Sequence, residues 1–474
     1  MLRFVFLPLV VTLLSATSPI RADDPKPVTY DDHIAPIFKR HCFQCHGESK
    51  QEAGLNLASH VTATKGGGAV LVSGRSSTSR LFQAITAEDP AERMPPKSDP
   101  LPPEQIALIK TWIETGLRQN AGSAGVPTRI LSFTPTTTFE ADGPPPMPER
   151  LPAVESSKTN RPFPILALAA SPRAALAAVA GYERIDFVNP ATRDVIGSVP
   201  FPEGEPHVLR FSRSGSVLLA AGGRPVQNGV AVLFDVKTGK RLAEIGNETD
   251  AVIAADISAD ERCVAIGGSS RVVKMFSTVD GSLQHSLVKH TDWVTAIAFS
   301  PDGKLLASAD RVGNIHLWDA VSGGVVLPLY EHKAAVRSLA WRSDSEVLAT
   351  CGEDGLIVWW EVSKGWPAIS KSDAHPPQRP AGTYSKIANG VLDASFGPKG
   401  ELVTCGRDRA IRVWAADGNV VQTVLLDTDA NPAATKPAIR VMPLKSALTF
   451  DGATIIAGDS AGQLRSWPSD ASRK

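Results

Sequence analysis

The residues best able to do chemistry lie near the N-terminus, in Cys42-Phe43-Gln44-Cys45-His46. Two Cys three apart fall on one face of a helical turn, so both thiols can add to the two vinyl groups along one edge of a haem. His46 then reaches the iron. Two thioether bonds and one axial imidazole account for a motif that is short and ends on His. A redox dithiol would be expected beside a βαβ pattern, and a zinc site would want two more Cys or His nearby; neither accompanies this motif.

Iron held by a porphyrin and one imidazole has room for a sixth ligand. In Arg93-Met94-Pro95-Pro96 two prolines stiffen an extended loop and leave Met94 projecting with little freedom. A thioether is a soft donor that favours reduced iron, so a His46/Met94 pair would give a high-potential centre suited to single electrons. Of the five Met, Met1 lies in the leader, Met147 in a proline-rich stretch, and Met275 and Met442 in a repeat region. His60 is the alternative ligand, since His is the other common axial donor. His33 and His41 precede the motif and read as surface residues.

Helices must position these groups. Tyr30, Ile34, Ile37 and Phe38 recur at helical spacing, with Pro36 where a first turn tolerates it, and this helix should deliver Cys42. Pro103 opens a second helix with Ile106, Ile109, Trp112 and Ile113 on one face, closed by Gly116 at a left-handed cap. Ahead of both, Arg3 and the 11-residue apolar run Phe4 to Leu14 read as a secretory signal over residues 1–22, cut after Ala22. That run is too short to span a bilayer. The expectation is an exported, periplasmic or otherwise extracytoplasmic protein with no transmembrane segment in the mature chain.

Lys plus Arg equals Asp plus Glu at 49 each, so no global field argues for nucleic acid or an anionic membrane. Of the five Cys, Cys263, Cys351 and Cys405 remain outside the motif and cannot pair completely; they read as small buried hydrophobes.

Residues 24–118 resemble the planctomycete-type cytochrome c domain. The resemblance rests on Ile34-Ala35-Pro36-Ile37-Phe38, Cys42 to Gly47, Gly54-Leu55-Asn56-Leu57, Gly66-Gly67-Gly68, Ser79-Arg80-Leu81, Arg93 to Pro96 and Trp112 to Gly116. It implies one covalent haem c with His46 and Met94 as the axial pair, and electron transfer as the use.

Residues 119–161 turn to Pro, Ser, Thr and Gly and read as a linker. Beyond it an aromatic recurs at Phe187, Phe234, Phe276, Trp318, Trp360, Trp414 and Trp467, in steps of 47, 42, 42, 42, 54 and 53. Each unit carries short alternating strands around turns such as Ser300-Pro301-Asp302-Gly303. A period of this size with four strands per unit predicts a β-propeller blade, hence seven blades over 162–470, with residues 366–386 as an insertion.

These units resemble WD-repeat propellers. Blade five carries that family's buried set His332, Thr350, Asp354 and Trp360, which stabilises only when every member is satisfied. Blade six has Thr404, Asp408 and Trp414 without a recognisable His, and blade four has His290, Ser308 and Trp318 with Val312 at the acid's position. The recurrence argues against a catalytic triad of Thr350, His332 and Asp354. Only a short polar tail follows Trp467, so the ring is expected to borrow a strand from Arg129 to Phe133 or from Leu151 to Val154.

The expected architecture is a small all-α cytochrome c domain followed by an all-β, seven-bladed WD-repeat-type propeller. The expected function is electron transfer by one haem, with redox partner proteins docking on the propeller and no catalytic residues of its own. Two alternatives stand beside it. A propeller oxidoreductase would hold a second cofactor, although His207, His285, His316 and His375 form no recognisable set for one. A non-redox haem scaffold or sensor would need an open sixth site.

Overall fold

The computed structural model describes residues 28–65, 70–71, 76–77, 79–96, 98–117, 119, 129–130, 133, 135, 145–149, 151, 163–377, 390–426 and 441–470. The leader lies outside the described residues.

Among the described residues the N-terminal part carries five α-helices: α1 (Ala35–His41), α2 (Phe43–His46), α3 (His60–Lys65), α4 (Arg80–Thr86) and α5 (Pro103–Glu114). Thr29 caps a wide turn over Tyr30–Ile34, its hydroxyl accepting from the Asp32 amide, and that turn runs into α1 with Pro36 in the first turn. Proline is harmless there because the first amides of a helix have no intrahelical acceptor. Tyr30, Ile34, Ile37 and Phe38 are buried against Ile109, Trp112 and Ile113 of α5. Trp112 has no exposed surface and meets Phe38 edge-on at 6.1 Å, so its truncation to Ala would cost about 3–5 kcal/mol. At the end of α5, Gly116 takes φ 97° and the Leu117 amide returns to the Trp112 carbonyl at 2.8 Å, the expected left-handed stop.

The rest of the described chain folds as seven antiparallel sheets over 168–200, 205–248, 254–287, 294–329, 336–371, 391–425 and 443–468. All seven periodic aromatics fall on the third strand of their blade. Neighbouring inner strands are stitched by side chains. Thr295 donates to the Val336 carbonyl at 2.6 Å and Ser338 to the Ala394 carbonyl at 3.0 Å, while the Asp256 carboxylate accepts from the Phe299 amide at 2.7 Å. These bonds satisfy polar groups that the packed inner strands would otherwise bury without partners.

Three expectations need correction. Arg129–Ile130 does form a strand, but it pairs with Arg241–Glu248 on the outer edge of blade two, with Arg129 opposite Glu244. Leu151 packs beside Gly197 in the outer strand of blade one, and Val154 lies outside the described residues. Among the described residues neither segment pairs with blade seven, which has three strands there. The ring meets instead by apolar packing of Ile165, Leu168 and Val179 on Ala447 and Ile456, with the Ile165 amide donating to the Asp459 carbonyl at 3.1 Å. Face-to-face burial of the same kind holds neighbouring blades together elsewhere in the ring.

Second, the stretch read as a linker packs on the propeller at several of its described residues. Phe133 is buried in the core between blades two and three, Met147 and Leu151 pack on the core between blades one and two, and Glu149 pairs with Lys237 at 2.9 Å. Third, the insertion read over 366–386 begins with a regular element: Trp366–Lys371 is the fourth strand of blade five. Residues 378–386 lie outside the described residues.

Candidate haem site

α1 delivers the motif as the sequence predicts. The Cys42 amide donates to Phe38 O at 2.8 Å and closes α1, and Cys42 O then accepts from Cys45 N at 3.1 Å and His46 N at 2.8 Å. Cys42, Cys45 and His46 therefore share one tight turn, α2. Gly47 ends it, and a Cβ there would stand 2.5 Å from the Phe43 carbonyl oxygen, so only glycine lets the chain leave in that direction. The Leu57 amide donates back to His46 O at 2.8 Å and the Tyr30 hydroxyl to Leu57 O at 2.6 Å, tying the turn to the helical core.

The orientation of His46 is set by the Glu52 carbonyl, 3.1 Å from Nδ1. A carbonyl can only accept, so Nδ1 carries the proton and Nε2 keeps a free lone pair. That is the tautomer a metal-ligating imidazole needs, held by a partner beyond the metal. Cys42 packs into the helical core and burial pushes its thiol up to about 12, which keeps it protonated. Cys45 is half-buried, on the side of the turn where the Glu52 carboxylate lies. The Lys50 ammonium, 2.6 Å from that carboxylate, holds Glu52 below its ordinary range.

Met94 comes from a separate element. Asp89 O accepts from the Glu92 and Arg93 amides, the Met94 amide donates to Ala84 O of α4 at 2.9 Å, and the Met94–Pro95 peptide is cis. The loop is thus a tight turn braced on α4 rather than an extended stretch, and the Met94 side chain is 41% exposed. His60 is committed elsewhere: its Nε2 lies 2.6 Å from Leu117 O, and its ring stands edge-on to Tyr30 at 5.7 Å and to Trp112 at 6.5 Å. His33 accepts from the Thr29 amide at 3.1 Å. His41, read from sequence as a surface residue, instead has Nε2 buried without a partner, and so has Gln105 at Oε1. An unmade hydrogen bond of this kind costs about 1–3 kcal/mol. Two thiols and an oriented imidazole on one turn, and a thioether on a braced turn, fit a haem.

The propeller carries three repeats of one buried network. In blade five His332 bridges Asp354 at 3.1 Å and Thr350 at 2.8 Å, and the Trp360 indole donates to Thr350 at 3.0 Å. In blade four the acid is Asp310 and not the residue at 312: it lies 3.1 Å from His290, which meets Ser308 at 2.7 Å. Asp310 stands two residues nearer the strand, where its other oxygen also caps the turn by accepting from the Val312 and Asn314 amides. Blade six is complete as well. Its imidazole is His375, 2.7 Å from Asp408 and 2.9 Å from Thr404, with Trp414 donating to Thr404 at 2.9 Å. His375 was hidden because it stands 29 residues before Thr404, against 18 in blades four and five. Three copies of one acid–imidazole–hydroxyl–indole chain, each hydroxyl wholly buried, make a structural device and not a triad.

Residues 42–98 match the family described as Planctomycete cytochrome C. Residues 281–319, 323–361 and 379–415 match the WD domain, G-beta repeat. The third strands of those three matches belong to blades four, five and six, the blades that hold the full buried network. No curated protein matches the chain. The chain therefore joins a planctomycete-type cytochrome c domain to a seven-bladed WD-repeat propeller, the make-up of a haem-binding protein of the electron-transfer type.

Proposed function

We propose that the chain is an exported single-electron carrier that holds one haem c through Cys42 and Cys45, with His46 and Met94 as axial residues, and whose propeller docks a redox partner protein. The observation that carries this reading is the Glu52 carbonyl on His46 Nδ1, which leaves Nε2 free on the turn that presents both thiols. When bound, haem supplies a one-electron couple, biased toward the reduced state by a thioether ligand. The chain's residues do the rest. Glu52 holds the imidazole proton at Nδ1, Phe38 and Gly47 fix both ends of the turn, and Ala84 anchors the backbone that carries Met94. The remaining His60, committed to Leu117, favours Met94 as the sixth residue.

Export is supported by the apolar run Phe4 to Leu14. No helix among the described residues is long and apolar enough to cross a membrane. Docking on the propeller is supported by the WD-repeat matches. A second cofactor on the propeller axis is disfavoured by space: the cavity there, lined by His207, Arg210, Arg337 and Lys445, measures about 40 Å³. Small-molecule sites usually take roughly 300–1000 Å³. Stoichiometric reduction tests the proposal. One electron and one haem per chain are expected, whereas uptake of further electrons or a second chromophore would replace the carrier with a propeller oxidoreductase.

A further inference from the structure

First strands of all seven blades surround the cavity on the propeller axis. In five blades the pairing of first and second strands slips at one place: between Pro206 and Val208, Val294 and Ala296, Val336 and Ser338, Val391 and Asp393, and Pro443 and Lys445. Such a slip leaves one residue out of the ladder and re-aims its side chain. His207, Thr295 and Arg337 are residues of this kind, Asp393 and Lys445 directly follow one, and all five line the cavity together with Arg210. Three cations, one carboxylate and one imidazole therefore meet at the axis.

Their charges do not cancel. Lys445 lies 3.1 Å from Asp393, and the Arg210 charge acts on the buried Asp256. Arg337 is left over: Glu353 stands 3.8 Å from it, beyond hydrogen-bond reach, and is closer to Arg407 at 2.9 Å. Among the described residues the cavity thus carries one positive charge more than the acids beside it offset. Donors are also to spare. An ammonium has three, of which Asp393 takes one, and burial holds His207 below the ordinary imidazole range, so at neutral pH it is uncharged and offers one ring N–H.

Size then selects the ligand. One water needs roughly 10–15 Å³ of such space, so a cavity of about 40 Å³ takes a body no larger than about three waters. A small inorganic ion fits and an organic acid does not. We propose that the propeller axis binds one chloride ion, held by Arg337, Lys445 and His207. The ion offsets the surplus charge in a partly enclosed site, where water screens less than at the surface, and it ties blades two, five and seven together.

The test melts the full-length protein in sodium chloride and in sodium gluconate at equal ionic strength, and reads chloride binding separately by chloride NMR line broadening. The two salts screen surface charge alike, and gluconate is too large for the cavity. Chloride at a hundredfold excess over its dissociation constant should raise Tm by about 4 °C above the gluconate value. Arg337→Gln should abolish both the rise and the broadening while its melt in gluconate stays within about a degree of wild type, as expected of a half-exposed side chain. Equal melts of the wild-type protein in the two salts, absence of broadening, or broadening that survives unchanged in Arg337→Gln would each overturn the proposal and leave water on the axis. Should Arg337→Gln fail to fold, crystals of the wild-type protein grown in bromide decide. An anomalous peak between Arg337, Lys445 and His207 is expected, and peaks at other positions alone would overturn the assignment.

Discussion

Replacing His375 by Leu tests whether blade six completes its network with an imidazole drawn from far upstream. His375 is wholly buried, and the substitution removes its bonds to Asp408 at 2.7 Å and Thr404 at 2.9 Å while keeping a side chain of similar bulk. A charge-assisted bond is worth about 1.5–3 kcal/mol and a neutral one about 0.5–1.5 kcal/mol, so the expected loss is about 3 kcal/mol. It should not greatly exceed that figure. Asp408 keeps Arg412 at 2.6 Å and the Ala410 amide at 3.1 Å, and Thr404 keeps the Trp414 indole, so no bare charge is left behind. At about 2.1 cal/mol/K of unfolding entropy per residue over roughly 300 propeller residues, the loss lowers Tm by about 5 °C. Differential scanning calorimetry beside the exposed control Tyr330→Ser reads this directly. A His375→Leu melt within a degree of the control would show that the imidazole does not close the network, and the account of blade six would be abandoned.

Acid should weaken blade four in two steps. Burial and the neighbouring His290 hold His316 below the ordinary imidazole range, so the unfolded chain binds its proton first and stability falls as pH drops below about 6.5; melts between pH 8 and 5 should flatten in His316→Phe. Burial alone would raise Asp310, but its bonds from His290 and Asn314 bring it to about 2; its stabilisation, complete above its unfolded value of 3.8, is lost as pH falls through about 2, and Asp310→Asn should remove that lowest step from an acid titration. Phe133→Ala should cost about 3 kcal/mol by denaturant unfolding, because the ring fills the core between blades two and three; a stretch that merely linked two domains would tolerate the change. Met94→Ala should abolish the far-red sulfur-to-iron absorption band and open the sixth site to carbon monoxide, whereas an unaltered spectrum would return the ligand to His60 or an external donor.

Local chemistry was legible in the sequence and long-range placement was not. The motif Cys42 to His46 announces itself because covalent attachment and ligation must be done within one turn. The ladder from Phe187 to Trp467 was legible for a related reason: each blade presents the same position on its third strand, so the same kind of side chain recurs. Asp310 escaped because a turn can supply its acid from either of two positions that reach the imidazole, and spacing cannot choose between them. His375 escaped because intervening chain displaced it from the usual interval. The strand Arg129–Ile130 was read as a strand and assigned to the wrong edge; a two-residue partner has too little pattern to specify which outer strand receives it. His41 was set aside as surface because it precedes the motif, yet the stripe Ile34, Ile37, Phe38 points straight to it. Helical phase at that position would have been the better guide than position relative to the motif.

The central claim is that Cys42 and Cys45 hold a haem on the turn that presents His46. Intact mass of the denatured polypeptide after acid–organic extraction, measured for the wild-type protein and for the double variant Cys42→Ala/Cys45→Ala, tests it most directly. The wild-type chain should weigh one haem more than its polypeptide and the double variant should weigh the polypeptide alone, because two thioether bonds survive extraction and axial ligation does not. A wild-type chain without the added mass, or a double variant that keeps it, would contradict the account.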